Sequence, residues 1–302
     1  MTRSLLDVRI GAMAPAAIER PADYVRQILP YGFESVQPFF FNHAVSAAQL
    51  KRLAAEIREA IGDADVTISG LATFGNPLES GEPDRQALTF WELLIDNAHL
   101  FGTNLIGGFT GRIRGQPIEV SLPRFREVWG RLAKRAEDAG VRIAFENCAM
   151  NGNWASGDWN IAHNPDAWEM MFNEVPSEAL GLEWEPCHQL VYLIDPIPQI
   201  RKWGDKIFHV HGKDATVRWD VVHEHGIFGK HPFVQMRTPG FGDSDWTRIV
   251  SELRLAGFKG SIDIEGWHDP VYRDELEIAG QVRALHYLKD CRGGQAIVGA
   301  PA

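Results

Sequence analysis

Glu146, Glu185, His211 and Glu265 each close a short segment of alternating apolar and polar residues in the second half of the chain. The segments read Arg142-Ile143-Ala144-Phe145-Glu146, Gly181-Leu182-Glu183-Trp184-Glu185, Ile207-Phe208-His209-Val210-His211 and Ser261-Ile262-Asp263-Ile264-Glu265. Side chains on a strand change face at every residue. Ile143, Phe145, Leu182, Trp184, Phe208, Val210, Ile262 and Ile264 therefore share one face, and the four terminal residues take the other. If the strands lie parallel and adjacent, three carboxylates and one imidazole converge where a divalent cation could bind. Such a shell is hard and oxygen-rich, with room for about two further ligands, which suits Mn²⁺, Mg²⁺, Co²⁺ or Fe²⁺ better than a closed structural zinc. A substrate chelated through two neighbouring oxygens would fill those positions. A carboxylate could then remove the C–H proton beside a polarised carbonyl, giving an enediolate.

That convergence needs a scaffold, and the remaining sequence supplies its pattern. Four earlier apolar segments end in turn residues, near Val8 to Met13, Phe33 to Gln37, Val66 to Leu71 and Asn104 to Gly107. Amphipathic stretches lie between strands, among them Ala47 to Ala60, Arg85 to Phe101, Leu122 to Ala139, Asp166 to Glu174 and Asp245 to Ala256. Strict alternation of strand and helix calls for a parallel sheet, and eight such units close into a (β/α)8 TIM barrel. We expect one barrel domain over residues 1–290 and a flexible tail over 291–302. The connections Asn147 to Pro165 and Gly212 to Asp243 are long, and both follow strands that carry proposed ligands, where barrels place substrate contacts and lids.

At 302 residues and 45% hydrophobic, the chain can bury a large core. A formal net charge of -10 without a long basic run disfavours a nucleic-acid partner. No signal-like N-terminus and no membrane-length apolar stretch is evident, so the expectation is a cytoplasmic protein that does not enter membranes. Cys148, Cys187 and Cys291 lack zinc spacing and read as reduced thiols.

Glu146-Asn147-Cys148, Glu183-Trp184-Glu185-Pro186-Cys187-His188, His209-Val210-His211-Gly212-Lys213-Asp214, Pro239-Gly240-Phe241-Gly242-Asp243 and Gly257 to Glu265 together resemble the sugar phosphate isomerase/epimerase family of xylose isomerase-like barrels. The resemblance implies that Glu146, Glu185, His211 and Glu265 ligate the metal, most often Mn²⁺. It also makes Glu146 and Glu265 the acid/base pair on opposite faces of a bound sugar, keto-sugar or polyol. His188 would bind a substrate oxygen near the metal. Two departures stand out: Glu185 where the family usually has Asp, and Glu265-Gly266-Trp267-His268-Asp269 where a run of Glu, His, Glu, Asp is common. Barrels of this family commonly dimerise, so a homo-oligomer fits.

Lys213 and Arg237 are further substrate-binding candidates, each weighed against an ordinary salt bridge or surface role. His209, Glu183 and Asp263 should lie one layer below the metal and orient its ligands. Phe39, Phe40, Phe41, Phe109, Trp154, Trp159 and Trp267 follow strands or sit on the first long connection, where a sugar face could stack, although several would serve only to cover the barrel rim. His223, His225 and His231 suggest a second metal, but no strand fixes them. The activity expected is isomerisation or epimerisation. A lyase or dehydratase would use the same enediolate to expel a β-leaving group. Phosphodiester hydrolysis would need more histidine ligands and a basic groove, and a non-catalytic accessory subunit would not need four intact ligands.

Overall fold

The computed structural model describes residues 7–16, 20–41 and 43–293. Along the chain run β1 (Arg9–Pro15), α1 (Pro21–Ile28), β2 (Ser35–Phe40), α2 (Ala47–Ile61), β3 (Thr67–Ile68), β4 (Leu71–Thr73), α3 (Glu82–Phe101), β5 (Leu105–Gly108), α4 (Ile118–Ala139) and β6 (Arg142–Glu146). They continue as α5 (Pro165–Glu174), β7 (Leu180–Trp184), α6 (Pro186–Val191), α7 (Pro196–Trp203), β8 (Ile207–Gly212), β9 (Asp214–Val217), α8 (Trp219–His225), β10 (Val234–Arg237), α9 (Trp246–Leu255), β11 (Ser261–Ile264) and α10 (Glu277–Arg292). Local chemistry explains several boundaries. Ser46 and Gln49 form a reciprocal capping box that starts α2. Gly102 and Gly140 end α3 and α4 in the left-handed region, at φ 75° and 66°. Helix α4 begins a turn earlier than its apolar period suggests, with Pro123 inside it, and the Ile118 amide that opens it donates to the Trp154 carbonyl at 3.1 Å.

The main sheet has the order β1-β11-β8-β7-β6-β5-β4-β2-β3, and β1 also pairs with β2, so the order closes on itself. The registers are parallel, from Arg9↔Ser261 to Glu146↔Glu183. The expected third strand is broken into β3 and β4, both paired to β2, which leaves eight staves. At the break, a Cβ on Gly70 would come 3.2 Å from the Leu105 carbonyl oxygen, so a larger residue would push the stave off its neighbour.

Contacts divide the chain into two compact units, with boundaries inside β1, at the end of β7, just before β8 and inside β8. In the larger, 13–184 with 206–209, Trp91, Trp129, Phe125 and Phe145 are fully buried or nearly so, and Trp129 meets Phe145 edge-on at 4.6 Å. That contact locks α4 onto β6 and so fixes the strand that ends in Glu146. In the smaller, 185–205 and 210–293 with 7–12, Trp246, Leu253, Ile262, Ile264, Leu285 and Leu288 form the core. The tail expected from residue 291 is corrected at its start, because α10 includes Cys291 and Arg292. Arg292 is buried, its Nη1 donates to the Val8 carbonyl at 2.8 Å and Arg254 donates to its own carbonyl, so these bonds hold the helix end in place. The rest of that tail, 294–302, lies outside the described residues. Among the described residues no helix is long and apolar enough to cross a membrane.

Candidate functional site

Glu185 is the last residue in extended conformation after β7 and the N-cap of α6, with Pro186 opening the helix. That backbone continues the strand alternation one residue past the hydrogen-bonded ladder, so Glu185 and Glu183 share a face as the sequence spacing predicts. His211 lies within β8. Glu265 follows β11, its amide donating to the Gly212 carbonyl at 3.2 Å. One ligand atom each of Glu185, His211 and Glu265 comes within 4.8 Å of the others. All three side chains are buried.

Positive and polar groups surround these two carboxylates. Lys213 Nζ lies 2.8 Å from Glu265 Oε1 and 4.0 Å from Glu185 Oε2. His188 Nε2 lies 2.8 Å from Glu185 Oε1, and His268 Nδ1 lies 3.2 Å from Glu265 Oε1. Glu265 Oε2 faces His211 Nδ1 at 3.7 Å and makes no hydrogen bond. Burial opposes ionisation of Glu185, but His188, Lys213 and His211 outweigh it and hold its carboxyl well below the usual carboxylate range. Burial, reinforced by Lys213, pushes the His268 imidazole below its ordinary value against the pull of Glu265 and Glu185. Glu185 and Glu265 thus bring two carboxyl groups to one ammonium. A buried carboxylate oxygen without a hydrogen bond, an imidazole nitrogen and a surplus of carboxyl groups are what a hard divalent cation would satisfy, so these residues fit such an ion.

Arg237, expected to bind substrate, donates its Nε to Asp269 Oδ2 at 3.0 Å and holds its guanidinium over the Phe241 ring at 5.8 Å. Asp269 also accepts from the amides of Thr238, Val271 and Tyr272, and these bonds with Arg237 outweigh burial and lower its pKa. The pair ties the end of β10 to the segment after β11. Asp214 accepts from the Ala215 amide at 2.8 Å, the Ser244 amide at 3.1 Å and Trp246 Nε1 at 3.1 Å, while burial raises its carboxyl to about 6.

In the larger unit, Glu146 is 4% exposed at the end of β6, opposite Glu183 in register. Glu183 and His209, expected as an orienting layer, do meet: His209 Nδ1 lies 3.1 Å from Glu183 Oε1, and Gln37 donates to the same oxygen. Gly107 makes room for this cluster, because a Cβ there would collide with the Glu183 carboxylate. Asp263 is fully buried opposite His211 in register. Phe39, Phe41, Phe74 and Phe109 form a chain of ring contacts with centroids 5.0 to 5.6 Å apart; Phe39 lies inside β2, and the other three directly follow β2, β4 and β5. Phe40 instead meets Phe90 of α3 at 5.1 Å. Trp154 donates its indole N–H to Glu119 at 2.7 Å, Trp159 is 39% exposed, and Trp267 packs against His268 at 5.4 Å. The His225 and His231 rings meet at 4.4 Å, tilted by 38°, but neither these nor His223 belongs to a group with metal-ligand spacing among the described residues.

Sequence reasoning missed His268, although its spacing of three from Glu265 was visible. It also missed Gln37, whose role depends on a partner 146 positions away.

The description of the matching family model is "xylose isomerase-like TIM barrel", and the match covers residues 25–291. An uncharacterised protein, YfiH of Bacillus subtilis strain 168, is 25% identical over 262 residues, covering 76% of this chain and 80% of that protein. A xylose isomerase domain protein from Planctomyces limnophilus superposes with a TM-score of 0.72 at 17% identity, over 97% of this chain and 99% of that one. An L-ribulose 3-epimerase superposes with a TM-score of 0.68 at 16% identity, over 97% and 98%. The closed strand order and the family match agree: the chain belongs to the xylose isomerase-like TIM barrel family.

Proposed function

We propose that this protein is a divalent-metal-dependent isomerase or epimerase that moves a proton on a sugar, keto-sugar or polyol through an enediolate. The observation that carries the reading is the convergence of Glu185, His211 and Glu265, buried and within 4.8 Å of one another, with an oxygen of Glu265 that makes no hydrogen bond. Glu146, the buried end of β6, is assigned as the fourth ligand on the alternation that brings all four residues to strand ends. Mn²⁺ is the ion proposed, on the hardness of this donor set. When bound, the cation supplies polarisation of a substrate carbonyl and stabilisation of the negative charge that develops on its oxygen.

The side chains would divide the remaining work. Glu146 and Glu265 are assigned as the acid/base pair, one removing the C–H proton beside the carbonyl and the other returning a proton to the opposite face. Lys213 fixes Glu265 Oε1 and is assigned to meet a substrate oxygen beside it. His188, held by Glu185, is placed to bind a hydroxyl or carbonyl oxygen beside the metal. Arg237 keeps the guanidinium N–H groups not committed to Asp269 for a more distant hydroxyl. The fold shared with an L-ribulose 3-epimerase supports the reaction class at the level of scaffold.

The test is incorporation of solvent deuterium into candidate ketoses and polyols with Mn²⁺ present. Wild type is expected to exchange the proton beside the carbonyl, and Glu265→Gln to exchange it roughly 10²–10⁴-fold more slowly. Exchange that persists after complete chelation would defeat the reading. Loss of water from the substrate would move the assignment to elimination.

A further inference from the structure

We propose that Asn160 is a positioning residue for Glu146, aiming the carboxylate by clamping the backbone on either side of Asn147. The inference rests on the assignment of Glu146 to a metal centre made above. Asn160 lies within the connection from Asn147 to Pro165, 14 positions along the sequence from Glu146, and is 1% exposed. Its Nδ2 donates to the carbonyls of Glu146 and Cys148, each at 2.7 Å. Its Oδ1 accepts from the Thr110 hydroxyl at 2.6 Å and from the amides of Thr110 and Ala162, each at 3.2 Å. Thr110 is itself fixed, since its carbonyl accepts from Trp129 Nε1 at 2.8 Å and its hydroxyl accepts from the Ile161 amide at 3.1 Å.

Glu146 is the last residue of β6 in register with β7, opposite Glu183. The Asn160 carboxamide holds the carbonyls of Glu146 and Cys148 where the chain leaves that ladder. Both of its amide hydrogens go to carbonyls flanking Asn147, and its oxygen is anchored to Thr110 on the connection between β5 and α4, so the clamp is held at both ends. Supporting groups of this kind commonly change metal affinity by roughly 10–100-fold when lost.

A second buried asparagine provides the control. Asn76, 2% exposed, donates to the carbonyls of Arg112 and Asp158 at 2.6 and 2.9 Å and accepts from the amides of Arg112 and Leu78 at 3.0 and 3.1 Å. It pins the same connection, but at Asp158, away from Glu146. The experiment titrates Mn²⁺ into the full-length protein by electron paramagnetic resonance, with thermal unfolding of each metal-free variant alongside. Asn160→Asp and Asn76→Asp preserve volume and turn a donor into an acceptor facing carbonyls, so both should lower the unfolding temperature. Only Asn160→Asp should weaken Mn²⁺ binding, by roughly 10–100-fold. Thr110→Val, which removes the hydroxyl supporting Asn160 without touching Glu146, should weaken it less in the same direction, and decides the matter if Asn160→Asp does not fold. Wild-type affinity in Asn160→Asp, or in Thr110→Val should the first not fold, overturns the inference, as does an equal loss in Asn76→Asp. Glu146→Gln separates the two readings: if it binds Mn²⁺ as wild type does, the metal assignment fails and the positioning role falls with it. If it loses the ion while Asn160→Asp keeps it, only the positioning role fails.

Discussion

The two long connections differ in how they are held, though the sequence makes them look alike. Asn147 to Pro165 is pinned along its length from inside. Arg112, fully buried, donates to the carbonyls of Gln116, Asn153 and Trp154, and Asn76 and Asn160 take the carbonyls of Asp158, Glu146 and Cys148. Gly212 to Asp243 is held at its base, where β9 and β10 pair antiparallel, Asp214 gathers three donors and Arg237 meets Asp269. Its far end is exposed, with Phe228 at 94%. Length at this face of a barrel therefore does not make a lid. Buried polar groups decide which connection is a wall and which is a surface arm.

The largest effect that would break this contrast is on the pinned connection. Arg112→Met keeps the apolar stem but removes the guanidinium bonds to the Gln116, Asn153 and Trp154 carbonyls, of which the last keeps the Ile118 amide, and should cost about 3–5 kcal/mol in chemical denaturation. A loss below ~1 kcal/mol would show that the Arg112 bonds do not hold the connection. A pH effect at the base of the other connection comes next. Burial raises Asp214 from 3.8 to about 6, so the folded state binds its proton more tightly than the unfolded chain does. The stabilising contribution is present in full below 3.8 and is lost as pH rises through about 6, a change of about 3 kcal/mol. Denaturation of wild type and Asp214→Asn at pH 4 and pH 7 should show that extra loss in wild type alone, and parallel curves would contradict it. The smallest effect is Phe228→Ala at the exposed end, expected within ~0.5 kcal/mol of wild type. A larger change would mean that the arm packs against something when folded.

Much of the scaffold was legible because period-two alternation and Gly-terminated helices are local signals. Arg142 to Glu146 matches its strand to the residue, and Glu185 and Glu265 fall one position beyond theirs, at the turn into the next element. The split of the third stave was not legible, because the close approach of Gly70 to Leu105 at the break joins residues far apart in sequence. Nor were β9, β10 and α8, which are short elements inside a connection whose composition reads as loop. Among site residues, types and spacing pointed to the ligand candidates, Lys213 and His188. The commitment of Arg237 to Asp269, the contact of His268 with Glu265 and the bonds of Asn160 to Glu146 and Cys148 join residues whose pairing no period encodes.

The central claim is that Glu185, His211 and Glu265 share a cation, and titration with Mn²⁺ followed by the loss of its free paramagnetic signal addresses it most directly. One saturable ion per chain is expected, with His211→Asn weakening it by more than roughly 100-fold, beyond what loss of a merely supporting residue brings. No saturable binding in wild type, or undiminished affinity in His211→Asn, would contradict the account.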